Sequence, residues 1–95
     1  MTQPQDAGTD AQRLFDQARE AAERGEYDVA ASLYSRLIGN PNPIFHVAGL
    51  LGLADSRYRL DDEEGALQAW ITATQAIHGE PTALRYMADG EYRAL

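Results

Sequence analysis

The feature that most constrains the fold is an internal repeat with a period of 36 residues. Four apolar residues of the first copy recur in the second with every internal spacing preserved. The two sets are Leu14, Ala18, Ala30 and Tyr34, and Leu50, Ala54, Ala66 and Trp70. A third copy begins 34 residues later, at Leu84 and Ala88, and is incomplete in this sequence. Such a period is typical of proteins that stack one supersecondary unit on the next.

Each copy has the pattern of two helices joined by a turn. In the first helix, Leu14 and Ala18 follow the spacing of a single helix face. Thr9 and Gln12 fit a capping box at its start, and Gly25 provides a stop. These signals predict a first helix that begins near residue 10 and ends just before the glycine.

The remaining helices are predicted from the same kinds of signal. Asp28 is the expected N-cap of the second helix, which ends at Gly39 and the proline-rich turn that follows. Pro43 suits the first turn of the third helix. The acidic stretch 61–64 then turns the chain into a fourth helix, and a last helix is predicted over 81–95.

These helices define the expected domain organisation. We expect a flexible tail over residues 1–9 and an all-α domain over residues 10–95. The domain is predicted to consist of antiparallel helix hairpins at about residues 11–43 and 44–80, followed by a single helix over 81–95. Five helices are therefore expected.

Small side chains account for the packing within each hairpin, because alanine lets two helices approach closely. The alanines are expected to meet in two pairs, Ala18 with Ala30 and Ala54 with Ala66. The aromatic residues Tyr34 and Trp70 are expected to fill the wider space between successive hairpins.

Composition narrows the possible functions. The chain of 95 residues has a formal net charge of −7, which is the wrong sign for binding nucleic acid or an anionic membrane. It contains no cysteine, so neither a disulfide nor a thiolate metal site is available. No apolar run is long enough to span a membrane, and the first nine residues lack the pattern of a secretory signal. We expect a cytoplasmic protein.

Several of the repeated residues also match a known family pattern of small and aromatic positions. The second repeat carries Leu50-Leu53-Ala54 followed by Ala66 and Trp70. The first repeat carries the corresponding set Leu14-Gln17-Ala18, Gly25, Tyr27, Ala30, Tyr34 and Pro41. In these positions the chain resembles the tetratricopeptide repeat family over about residues 10–95. It departs from the pattern at Gln17, where a large apolar residue is usual, and at Asp61, which replaces the turn glycine of the second repeat.

This resemblance implies a short right-handed solenoid whose first helices line a concave groove for a peptide or a partner protein. The residues that map to the groove side are Phe15, Arg19, Glu23, Leu51, Asp55, Tyr58, Arg59, Arg85, Tyr86, Asp89, Tyr92 and Arg93. Aromatic and arginine side chains are favoured at the centres of protein interfaces. The alternative is that Asp55 with Arg59, and Arg85 with Asp89 and Arg93, are only ion pairs on a solvated helix face.

The sequence gives little support for catalysis. His46 and His78 are a whole repeat apart and do not have the spacing of a metal site. The acidic stretch 61–64 lacks the alternating oxygen ligands and central glycine of a calcium loop. We therefore expect no enzyme activity, no metal and no cofactor.

The leading functional hypothesis is a protein interaction module, a small adaptor or regulatory scaffold that binds a partner in the groove. The alternative is a dedicated chaperone of the tetratricopeptide type that shields one client protein. A homodimer is also predicted, because the last helix presents apolar residues on a face that no second helix would cover. The residues of that face are Leu84, Ala88 and Leu95.

Overall fold

The computed structural model describes the backbone of residues 4–78 and the side chains of residues 10–78. This part of the chain forms four helices and includes no β-strand. The helices are α1 (Pro4–Glu23), α2 (Tyr27–Ser35), α3 (Pro43–Arg59) and α4 (Glu63–His78). The predicted fifth helix, over 81–95, lies outside the described residues.

The described helices form an all-α bundle in which helices adjacent in sequence pack together. Contacts join α1 to α2, α2 to α3 and α3 to α4, and α1 also contacts α3. Among the four described helices, α4 contacts α3 alone. The first helices of the two repeats, α1 and α3, are therefore neighbours, whereas α1 and α4 do not meet as they would in a closed four-helix ring.

Two groups of buried side chains hold these helices together. The larger one joins α1, α2 and α3 and includes Phe15, Tyr34 and Leu53, together with Ala69 of α4. The smaller one lies between α3 and α4. Its buried members are Val47, Leu50, Leu51 and Ala73. The four alanines expected at the helix contacts are all buried, with exposed fractions of 0% for Ala18 and Ala30, 1% for Ala54 and 7% for Ala66.

The turns follow the sequence signals closely. Gly25 and Gly39 end the first two helical segments with φ angles of +81° and +89°, a conformation that suits glycine. Asp61 adopts φ +65° at the position that corresponds to Gly25 in the second repeat. The departure from the repeat pattern is thus tolerated without a change of backbone conformation, since Asp enters this region more readily than most residues.

The later helix starts agree with the predictions. Pro43 is the first residue of α3, and the Asn42 side chain accepts a hydrogen bond from the Ile44 N–H at 3.0 Å. Asp62 accepts a hydrogen bond from the Gly65 N–H at 3.0 Å, so the acidic stretch 61–64 provides both the turn and the start of α4.

The first two helix starts differ from the predictions. Because α1 begins at Pro4, Thr9 lies within the helix and the predicted capping box is wrong; Gln12 instead donates a hydrogen bond to Asp16 at 3.1 Å. Proline suits the first turn of a helix, which explains the earlier start, and α1 extends into the range predicted as a tail. The second helix begins at Tyr27, one residue before the predicted cap Asp28, and has no side-chain cap.

Candidate interaction surface

Two of the residues predicted to line a groove belong to the core. Phe15 is 5% exposed and Leu51 is 8% exposed. Phe15 packs in the larger buried group and Leu51 in the smaller one. Their side chains therefore stabilise the helix contacts and offer little surface to a partner.

Tyr34 of α2 sits at the junction of α1, α2 and α3. Its ring makes an edge-on contact with Phe15, with ring centroids 6.2 Å apart and planes at 63°. The other neighbour is Gly52 of α3, whose missing side chain leaves room for the ring. This arrangement confirms that Tyr34 fills the space between the first hairpin and the next helix.

Charged groups from two helices influence the pKa of the Tyr34 hydroxyl. Burial raises the pKa of Tyr34 to about 12, Arg19 acts in the opposite direction, and the carboxylates of Asp55 and Glu23 raise it further. Tyr34 therefore lies within electrostatic range of Arg19 and Glu23 of α1 and of Asp55 of α3. No hydrogen bond joins this hydroxyl to any other described residue.

Arg59 completes this set of residues. Its guanidinium donates to Asp55 with an Nε to Oδ1 distance of 3.4 Å. It also lies over the ring of Tyr27, 5.6 Å from the centroid. Asp55 and, secondarily, Tyr27 raise the pKa of Arg59 above its usual value. Arg59 thus contacts Asp55 of its own helix and Tyr27 at the start of α2.

We call the residues Arg19, Glu23, Tyr34, Asp55 and Arg59 the Tyr34 surface. Four of them were predicted as groove residues from the sequence. Three of these, Arg19, Glu23 and Asp55, are near enough to influence the pKa of Tyr34, and Arg59 is paired with Asp55. Nothing in a repeat pattern shows which charged side chains lie near a core tyrosine. A glycine within a helix, such as Gly52, is a signal of close approach, but it does not identify the neighbour.

A shallow cavity extends along α1 beside this surface. Its volume is about 240 Å³. The described residues that line it are Asp16, Arg19, Glu20 and Glu23. The Arg19 guanidinium lies over the Phe15 ring, 5.7 Å from its centroid. The lining therefore contains three carboxylates and a single guanidinium that already contacts an aromatic face.

The other predicted partner-binding residues lie elsewhere. Tyr58 is 63% exposed near the end of α3 and is available to a partner. The remaining predicted positions lie outside the described residues. They are Arg85, Tyr86, Asp89, Tyr92 and Arg93 for the groove, and Leu84, Ala88 and Leu95 for self-association.

A second exposed feature lies on α4. Leu67, Trp70 and Ile71 are 58%, 47% and 44% exposed, and their spacing places them on one face of the helix. Trp70 was expected to be enclosed between hairpins as Tyr34 is. Tyr34 is covered by α3, whereas no described helix lies over the corresponding face of α4.

The described residues include no group of three His, Asp or Glu side chains that could hold a metal ion. None of the four described helices is both long enough and apolar enough to cross a membrane. His46 has a structural contact at the start of α3, where its Nδ1 accepts a hydrogen bond from the Gly39 N–H at 2.9 Å. Comparisons of the chain with protein-family models, with curated proteins and with solved structures found no match.

Proposed function

We propose that the chain is a protein interaction module of the tetratricopeptide repeat type, which docks a peptide or partner protein on the Tyr34 surface. The observation that carries this proposal is the order of helix contacts. The first helices of successive repeats, α1 and α3, are neighbours, and α4 touches α3 alone among the described helices. This order is expected of a solenoid, in which each unit contacts only the next.

The chemistry of the Tyr34 surface supports docking. It combines arginine, tyrosine and carboxylate side chains from α1, α2 and α3, and its two guanidinium groups are oriented by aromatic rings. Such contacts restrict the two side chains before binding, which reduces the conformational entropy lost when a partner binds. Tyr58, three residues after Asp55 and next to the last residue of α3, adds exposed aromatic area at its border.

The test is affinity capture with the full chain followed by mass spectrometry. The bait is compared with the double variant Tyr58→Ala/Arg59→Ala and with Glu64→Ala, which changes an exposed residue on α4. We expect partners of the unchanged chain to be retained by Glu64→Ala and lost with the double variant. Equal capture by all three baits would contradict docking on this surface, provided that the variants melt at similar temperatures.

The exposed face of α4 favours one alternative, a chaperone for a single client protein. Leu67, Trp70 and Ile71 offer the kind of apolar patch that could shield an aggregation-prone segment. Capture of one unstable client that depends on Trp70 would favour the chaperone. Capture of a stable assembly of several proteins that depends on Arg59 would favour the adaptor.

A further inference from the structure

The exposed apolar face of α4 differs from its counterpart in the first repeat. Trp70 occupies the position that Tyr34 has one repeat earlier, yet Trp70 is 47% exposed whereas Tyr34 is 6% exposed. Leu67 and Ile71 beside Trp70 are exposed as well. A helix in a folded domain buries its apolar stripe against another element. A covering element is therefore expected on this face of α4.

The cover of Tyr34 is the glycine-bearing face of α3. A Cβ atom on Gly52 would overlap the Tyr34 ring, and a Cβ atom on Gly49 would lie 3.3 Å from the Ile38 nitrogen. The two glycines thus let α3 lie directly against α2 and the turn that follows it. Tyr34 and Gly52 are each nine residues from Pro43, the first residue of α3, as expected of antiparallel helices joined near that proline.

The sequence after α4 carries the same pattern of a proline followed by a glycine. Gly90 follows Pro81 by nine residues, as Gly52 follows Pro43. This alignment differs by four residues, about one helical turn, from the one that starts the third copy at Leu84, so it moves the contact along the helix more than it rotates it. In a helix over 81–95, the residues that share a face with Gly90 are Ala83, Met87 and Ala94.

A helix over 81–95 has the length that is needed to cover α4. Its 15 residues would span about 22 Å, and the 16 residues of α4 span about 24 Å. Trp70 and Gly90 are each ten residues from Glu80, so they lie opposite each other in an antiparallel hairpin that turns at 79–81. Glycine at that place leaves room for the indole, as Gly52 does for the ring of Tyr34.

We propose that residues 81–95 of the same chain occupy the apolar face of α4, with Gly90 against Trp70 as Gly52 lies against Tyr34. This segment begins only three residues after His78, the last residue of α4, so its effective concentration at α4 is higher than that of a separate molecule. A client protein would have to displace residues 81–95 to reach Trp70. The face is distinct from the Tyr34 surface, so failure of this proposal would leave the docking function untouched.

The first test is a disulfide cross-link in the full chain, which has no cysteine of its own. Thr74 and Met87 correspond to Ile38 and Gly49, which lie close together. The double variant Thr74→Cys/Met87→Cys should therefore form a disulfide within one molecule under mild oxidation, as measured by non-reducing electrophoresis and mass spectrometry. The control Thr74→Cys/Tyr92→Cys places the second cysteine on another face of the predicted helix and should cross-link far more slowly.

The second test is the fluorescence of Trp70, the only tryptophan of the chain. In the unchanged protein, the emission should be blue-shifted and only weakly quenched by acrylamide, at every protein concentration. Gly90→Leu should shift the emission to the red and increase quenching severalfold, because the added side chain would overlap the indole and separate the two helices. Ala88→Leu adds a leucine to another face of the same segment and should leave both quantities nearly unchanged.

The possible outcomes distinguish the occupants of this face. Disulfide-linked dimers, or a blue shift that develops only as the protein concentration rises, would assign the face to a second copy and overturn the proposal. Equal cross-linking of the two cysteine pairs would show that residues 81–95 hold no fixed position on α4. Emission typical of an indole in water would show that Trp70 is uncovered. If circular dichroism shows that Gly90→Leu unfolds the protein, the cross-link decides, since it leaves Gly90 in place.

Discussion

Gly52 of α3 lies against the ring of Tyr34 so closely that a Cβ atom on Gly52 would overlap the ring carbons. The close approach of α2 and α3 therefore depends on this glycine. Gly52→Ala should lower the free energy of unfolding by about 1–3 kcal/mol, the usual cost of overpacking, although alanine is the better helix former. Urea denaturation followed by circular dichroism measures the change.

The cause can be isolated with a double-mutant cycle. In a Tyr34→Ala background the ring is absent, and Gly52→Ala should be neutral or should increase stability. If Gly52→Ala costs the same with and without the ring, the overlap with Tyr34 does not explain the loss.

Asp61 occupies a conformation that glycine adopts at lower cost. Its φ of +65° matches that of Gly25 one repeat earlier. Asp61→Gly should therefore raise the free energy of unfolding by about 0.5–1 kcal/mol. This net gain is the backbone strain that glycine relieves, minus the cost of the greater conformational entropy that glycine gives the unfolded chain. The reciprocal change Gly25→Ala should lower it by about 1–2 kcal/mol. A loss of stability in Asp61→Gly would show that the aspartate makes a compensating interaction.

Ser56 is fully buried in α3, and its hydroxyl has no hydrogen bond partner among the described residues. Leaving such a group unsatisfied costs about 1–3 kcal/mol. Ser56→Ala should therefore stabilise the protein by about 1 kcal/mol, as measured from the midpoint of thermal or urea unfolding. The exposed Ser32 on α2 is the control, since Ser32→Ala should change stability by no more than about 0.5 kcal/mol. Destabilisation by Ser56→Ala would mean that the hydroxyl has a partner after all.

Tyr34 should give the protein a distinct response to alkaline pH. Burial raises its pKa from 10.0 to about 12 in the folded state. Because the folded pKa is the higher one, the stability linked to neutral Tyr34 is fully present below pH 10 and is lost as the pH rises through 12. The difference in unfolding free energy between the wild type and Tyr34→Phe should be constant below pH 10 and should change above it.

Ultraviolet absorbance provides an independent measurement of the same ionisation. The tyrosinate signal of the wild type should include a late component near pH 12, which is absent in Tyr34→Phe. A variant that retains the late component would place the high pKa on another tyrosine.

The sequence predicted the helix boundaries best where the turn depends only on the residues within it. The conformations at Gly25 and Gly39 and the start of α3 at Pro43 follow from the residues themselves. The start of α1 was predicted wrongly because Thr9 and Pro4 are both acceptable near a helix start, and a local pattern does not rank them. The period of 36 residues also predicted the order of the four described helices. It could do so because the pattern recurs over the length of a whole helix hairpin and does not depend on the chemistry of any single turn.

The surface was harder to predict than the fold. Neighbouring residues on a helix differ by about 100° in direction, so a small error in helix orientation moves a residue between the core and a groove. This explains why Phe15 and Leu51 are buried while Arg19 and Asp55 are at or near the surface. Trp70 illustrates a second limit of the sequence analysis. The repeat predicts that Trp70 is equivalent to Tyr34, but it does not predict whether another helix covers Trp70.

Among the described helices α4 is attached to α3 alone, and this has a consequence for local opening. Regions of a protein can open as separate cooperative units, and a single interface, that with α3, ties α4 to the other described helices. The larger buried group joins α1, α2 and α3 and receives only Ala69 from α4, so transient release of α4 leaves most of that group assembled. In hydrogen exchange, the amides of α4 should lose protection before those of α2 around Tyr34, which would let α4 remodel while the proposed docking surface keeps its shape.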